Sequence, residues 1–136
     1  MDKNKNSFLM GIAEKTLEEQ DCPLFIKDSN HTSIYKSYNG QIAALGVSIL
    51  MIGLKATVSV YYQGERKENN DAYRQALLEV IAKMLNEMGN GYNFKDAYSL
   101  THYIVKTADE ELSALKTDIL DCSIALKQVI RTYKLD

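Results

Sequence analysis

Residues Ile42 to Tyr62 read IAALGVSILMIGLKATVSVYY, 21 positions with a single charge, Lys55. A membrane span needs roughly twenty mostly apolar residues, so length alone permits one. The chemistry opposes it. Ser48, Thr57, Ser59 and Lys55 lie inside the stretch, and a lysine near the bilayer centre costs about 2.5–3.5 kcal/mol. The flanking segments are amphipathic and need an apolar surface to pack on, which a helix hydrophobic on every side supplies from the middle of a bundle. The expectation is a buried central helix that hides Leu50 and its neighbours, with no membrane contact.

Two glycines interrupt the stretch. Gly46 and Gly53 each lower helix stability by about 0.8–1.0 kcal/mol relative to alanine, so a break near Gly53 with a new helix from Leu54 is expected. Thr57 to Tyr62 alternates β-branched and polar residues and also reads as a strand. No second run offers it a ladder, which favours helix.

Upstream, Phe8 to Gln20 sets Ile12, Ala13 and Leu17 on one side and Glu14, Glu18 and Glu19 elsewhere, an opening helix that ends by Cys22-Pro23. Asp28-Ser29-Asn30 offers turn and N-cap chemistry before a second helix from about Ser33. Downstream, Gln63 to Asn70 (QGERKENN) reads as a solvated loop, with Asn70 or Asp71 as the next cap. Tyr73, Ala76, Leu77, Val80, Ile81, Met84, Leu85 and Met88, closed by Gly89, carry the strongest helical spacing in the chain. A Gly89-Asn90-Gly91 turn leads to a shorter helix over Phe94 to Val105. The last helix, Ala108 to Tyr133, repeats apolar residues every seven: Ala108, Leu112, Leu115, Ile119, Cys122, Leu126, Val129 and Tyr133. Such a seam packs along a partner helix at a shallow angle. Leu120 and Ile124 lie off the seam and read either as internal packing or as contacts for a second protein. The fold class expected is all-α, a single domain over 1–136 of five to six helices around a buried apolar central helix.

The chain has 136 residues, long enough to form a core without disulfides or metal, and its 46% hydrophobic and 25% charged content is ordinary for a globular protein. Cys22 and Cys122 stand a hundred positions apart and form neither a zinc motif nor a disulfide framework, so reduced thiols and a cytoplasmic location are expected. No signal-peptide h-region follows MDKNKNSF, because Glu14, Lys15, Glu18 and Glu19 arrive too soon. Net charge is −2, without the basic excess typical of nucleic-acid binders. The charge is uneven, however. Asp109, Glu110, Glu111, Asp118 and Asp121 stand against Lys116 alone, and the terminus carries Lys127, Arg131 and Lys134 against Asp136.

No catalytic or metal constellation is legible. His31 lies in a polar turn and reads as exposed, and His102 lies beside Tyr103, without a cysteine or second histidine at ligand spacing. No phosphate loop and no G-x-S-x-G elbow is present. No cofactor is expected. What remains is binding. Lys36 opens the second helix beside Tyr35 and Tyr38, Lys55 projects from the apolar stretch, and Lys127, Arg131 and Lys134 close the chain. Phosphate contact needs only such cations on a rigid face, although each also reads as a solvent-facing charge.

Tyr35 to Gln63, YKSYNGQIAALGVSILMIGLKATVSVYYQ, and Ala125 to Leu135, ALKQVIRTYKL, together resemble a known family. It is the small, all-helical subunit of the type III-B (Cmr) CRISPR RNA-guided effector complex. The likeness lies in a Tyr-rich helix start, a long apolar helix ending in the Gly53-Leu54 step, and a closing Leu126-Lys127 followed by Arg131 and Tyr133. The resemblance implies a non-catalytic antiviral-defence protein that stacks head to tail with its own copies as an inner filament. It also implies contact with RAMP-type backbone subunits, with the large palm-domain subunit, and with guide RNA and target RNA along their duplex. On this reading Lys36, Lys55, Lys127, Arg131 and Lys134 are candidate RNA contacts, and Leu120 and Ile124 a candidate protein interface. A helical adaptor that meets one protein partner through an apolar face, without RNA, is the alternative.

Overall fold

The structure, a computed structural model, describes residues 1–63 and 73–136. Its elements are α1 (Lys3–Leu17), β1 (Ser33–Ile34), α2 (Ser37–Ile52), α3 (Leu54–Gln63), α4 (Gln75–Glu87), α5 (Ala97–Lys106), a 3-10 turn (Asp109–Glu111), α6 (Ser113–Ile130) and β2 (Lys134–Leu135). The all-α class and the helix number both match expectation. The body of the loop after Gln63 and its Asn70 or Asp71 cap lie outside the described residues.

The long apolar stretch folds as a helical hairpin. Gly53 ends α2 at φ +94° and ψ 164°, a backbone conformation essentially reserved for glycine. Its N–H still donates to the Ile49 carbonyl, at 3.0 Å, while its carbonyl accepts from the Thr57 N–H at 3.2 Å. The polar residues inside the stretch find partners across the hairpin. Ser48 and Thr57 hydroxyls meet at 2.8 Å, and the Tyr61 hydroxyl donates to the Gln41 carbonyl at 2.7 Å. The Thr57–Tyr62 segment is helical, as its lack of a strand partner favoured. No helix among the described residues is long and apolar enough to cross a membrane.

Burial corrects one expectation. Tyr38, Ile42, Leu45 and Ile49 are the only buried residues of the 16 in α2, whereas α4 buries eight of its 13. Leu50 is 70% exposed and Met51 78%, with Val47 and Ile52 at 57% each. The axis of the bundle is therefore α4 together with α6, which packs on α1, α2 and α4. The core uses one face of the uniformly apolar α2, and the other stays exposed.

Other boundaries move for local reasons. The Asp2 carboxylate accepts from the Lys5 N–H at 2.7 Å and starts α1 ahead of Phe8. Asn86 clamps both backbone groups of Phe94 at 2.7 Å, so α5 waits for the Asp96–Ser99 capping box. The 3-10 turn delays α6 to Ser113. Ser33, expected to open a helix, instead pairs in parallel with Lys134 as β1 meets β2. His31, expected to be exposed, is half-buried against Phe25, with ring centroids 4.5 Å apart.

The two glycines of the hairpin behave oppositely on substitution. Gly53→Ala lowers unfolding free energy by about 1–3 kcal/mol because alanine resists that backbone conformation. Gly46→Ala raises it by up to about 1 kcal/mol through helix propensity, since an added Cβ meets Ser123 Oγ and Leu120 Cδ2 at ordinary distances of 3.8 and 3.9 Å. Urea denaturation of both variants checks the pair.

Candidate functional site

The exposed half of α2 lies beside α6. Gly46 approaches Ser123 and Leu120, and Arg131 Nε donates to Asn39 Oδ1 at 3.0 Å, so the two helices run antiparallel. Between them opens an apolar groove of about 230 Å³, lined by Val47 and Leu50 from α2 and by Leu120, Ile124 and Lys127 from α6. Leu120 is half-buried and Ile124 is 39% exposed. Both line the groove, Leu120 while packing against the core and Ile124 as exposed surface. A second cleft continues past the hairpin tip, with Ile52, Lys55, Asp109 and Lys116 among its walls.

The five candidate cations do not form one patch. Lys127 is half-buried in the groove wall with Leu120 and Ile124. Lys55 stands at the hairpin tip with Nζ 3.4 Å from Asp109 Oδ1. Lys36, Arg131 and Lys134 lie toward the opposite end, where the Ser33–Lys134 pairing brings the chain terminus beside the start of α2. Lys134 meets Asp136 at 3.5 Å, both exposed, which is worth little in water.

The acidic run also divides. Asp118 and Asp121 are buried on α6, and Lys5 of α1 reaches them at 3.5 and 2.7 Å. Asp118 accepts in addition from the Tyr92 hydroxyl at 2.6 Å and Asn90 Nδ2 at 3.2 Å. These two carboxylates hold α1 and the α4–α5 connection onto α6 and are unavailable to any partner. Of this run, only Asp109, Glu110 and Glu111 remain as acidic surface.

Comparison with known proteins decides what kind of body this is. The family model described as CRISPR-associated protein (Cas_Cmr5) matches residues 13–133. The chain belongs to that family. It is a small subunit of the Cmr, type III-B, CRISPR system, as Tyr35–Gln63 and Ala125–Leu135 suggested. No curated protein and no solved structure gives a significant match to it.

For this Cmr subunit, among the described residues no cluster of His, Cys, Asp and Glu could hold a metal ion. From sequence, Leu50 and its neighbours were placed in the core, and Gly46, Val47, Leu50, Met51 and Ile52 were not marked as surface. Their signal was there. Ala43, Val47 and Leu50 repeat at four and three beside the buried stripe Tyr38, Ile42, Leu45 and Ile49, and two apolar stripes on one helix need two partners.

Titration follows burial. The hydrogen bond to Asp121 raises Lys5, burial pushes the Cys22 thiol to about 11, and burial next to Asp118 pushes Cys122 to about 12. Burial and the Asp118 hydrogen bond raise Tyr92, and burial with the Glu14 bond raises Tyr133. Each group holds its proton more tightly folded than unfolded, so its contribution is complete below its unfolded value and lost as pH rises through the folded one. Thermal midpoints by circular dichroism should be level from pH 6 to 7.5 and fall from about pH 8 upward, where the cysteines, with an ordinary pKa of about 8.5, begin to ionise in the unfolded chain. A level midpoint through pH 11 would contradict this.

Proposed function

We propose that this chain is a non-catalytic, cytoplasmic Cmr subunit that stacks end to end with its own copies along the guide–target RNA duplex. Its flank then docks on RAMP-type backbone subunits and the large palm-domain subunit. The observation that carries the reading is the polarity of α6. This helix of 18 residues, about 27 Å long, has Asp109, Glu110 and Glu111 at its start and Arg131 and Lys134 just past its end, with the apolar groove along its side. Contacts that repeat head to tail need two different, complementary surfaces, and charge of opposite sign at the two ends supplies them. The groove is left for a lateral protein contact.

Phosphate contact falls to Lys36, Arg131 and Lys134 at the basic end. Lys127 and Lys55 sit on the groove side, where their charge borders apolar surface. With a net charge of −2, the isolated subunit has little general attraction for RNA, so contact depends on placement within the assembly.

The test is Arg131→Glu combined with Lys134→Glu in a reconstituted Cmr complex. Retention of the subunit at moderate salt should fall at least tenfold, and the salt dependence of RNA retention should become shallower. Unchanged retention in both assays excludes the end-to-end role for this pair. The apolar groove also favours the adaptor reading, in which one protein partner is bound without RNA. A one-to-one protein complex indifferent to nuclease would select it.

A further inference from the structure

The α2–α6 groove has a charge pattern along its length. On α6, Lys116, Leu120, Ile124 and Lys127 are spaced four, four and three and so share one face. Both lysines are half-buried, and no carboxylate of the described residues forms an ion pair with either. Asp109 lines the same cleft as Lys116 and is engaged by Lys55. The two cations are eleven residues apart, about 16 Å along the helix. Between them lie Leu120 and Ile124, with Val47 and Leu50 facing across.

The floor of the groove is Gly46. It stands mid-helix, without positive φ, where alanine would fit and would strengthen the helix. A side chain there would fill the groove, so the glycine keeps open a depth that the fold itself does not require.

We infer that this groove receives a helix of a different protein chain, about four turns long, apolar along one face and carrying carboxylates at both ends of that face. A channel between two antiparallel helices accepts the ridge of a third, with apolar anchors at i, i+3 or i+4 and i+7. Carboxylates one turn outside those anchors meet Lys127 and Lys116 in partly desolvated positions, where charge pairing favours the matched partner and penalises a basic one. The exposed apolar faces of a second copy on α2 and α5 lack the acidic ends: α2, with Val47, Leu50 and Met51, carries no carboxylate, and Tyr98 and Val105 on α5 have Lys95 and Lys106 nearby.

The inference rests on the subunit reading above and names the chemistry of the lateral partner. The probe is a fluorescein-labelled 16-residue helical peptide with leucines at i, i+3, i+4 and i+7 and a Glu pair at each end, compared with the same peptide ending in Lys pairs. Fluorescence anisotropy with the full chain should show the acidic peptide binding at least tenfold more tightly. Lys116→Glu with Lys127→Glu should reverse that preference. Gly46→Leu should weaken acidic-peptide binding at least tenfold while the thermal midpoint holds or rises. Absence of binding by both peptides, equal affinity for the two, or undiminished binding to the Gly46→Leu variant overturns the inference. So does a dimer of the free chain that Gly46→Leu dissolves, because a second copy would then be the occupant. Each of these results leaves the Cmr-subunit reading standing, since that is decided by assembly and not by the peptide.

Discussion

The break at Gly53 is the constraint on which the rest depends. An unbroken helix through Ile42–Tyr62 would run about 30 Å and expose apolar surface on all sides. With φ at +94° the chain reverses, and α3 returns along α2 so that Thr57 covers Ser48 and Tyr61 covers the Gln41 carbonyl. The reversal satisfies every polar group that made the stretch unfit for lipid, apart from Ser59, which bonds the Lys55 carbonyl within its own helix, and Lys55, which meets Asp109. It also consumes only one side of α2. The other side, centred on Leu50, is left beside α6 without a cover.

What allows that exposed face to persist is the strength of the rest of the core. α6 is clamped from both sides: Lys5 binds Asp118 and Asp121, Tyr92 and Asn90 add to Asp118, and Tyr133 closes the terminus onto Glu14 at 2.6 Å. Breaking such a partly buried pair on one side only is strongly destabilising, because the remaining charge loses its partner. The clamp fixes α6 as a rigid rod, and its two charged ends and its groove inherit that rigidity. A large apolar surface on a well-packed body marks an interaction site far more often than a packing defect.

Much of this was legible in the sequence. Periodicity located each helix, the Gly53 break followed from propensity, and the lack of a pairing partner decided Thr57–Tyr62. The two-residue strands escaped notice because Ser33–Ile34 and Lys134–Leu135 carry no pattern and meet only when the end of the chain returns beside the start of α2. Leu50 was misplaced because composition reports how apolar a helix is and is silent on how many neighbours share it. Lys127 was grouped with Arg131 for charge, and only the crossing of α2 reveals that it borders apolar groove. Asp118 and Asp121 looked like surface acid until Lys5, more than a hundred residues away in the chain, turned out to face them.

The central claim is that the face around Leu50 is open in the free subunit and covered in the assembled Cmr complex. Leu50→Cys tests it directly, because the native thiols are buried and held protonated by that burial, leaving the new one as the reactive site. The account predicts rapid maleimide labelling of the free chain at pH 7.5 and at least tenfold slower labelling once the complex is assembled. Equal rates in the two states would contradict it.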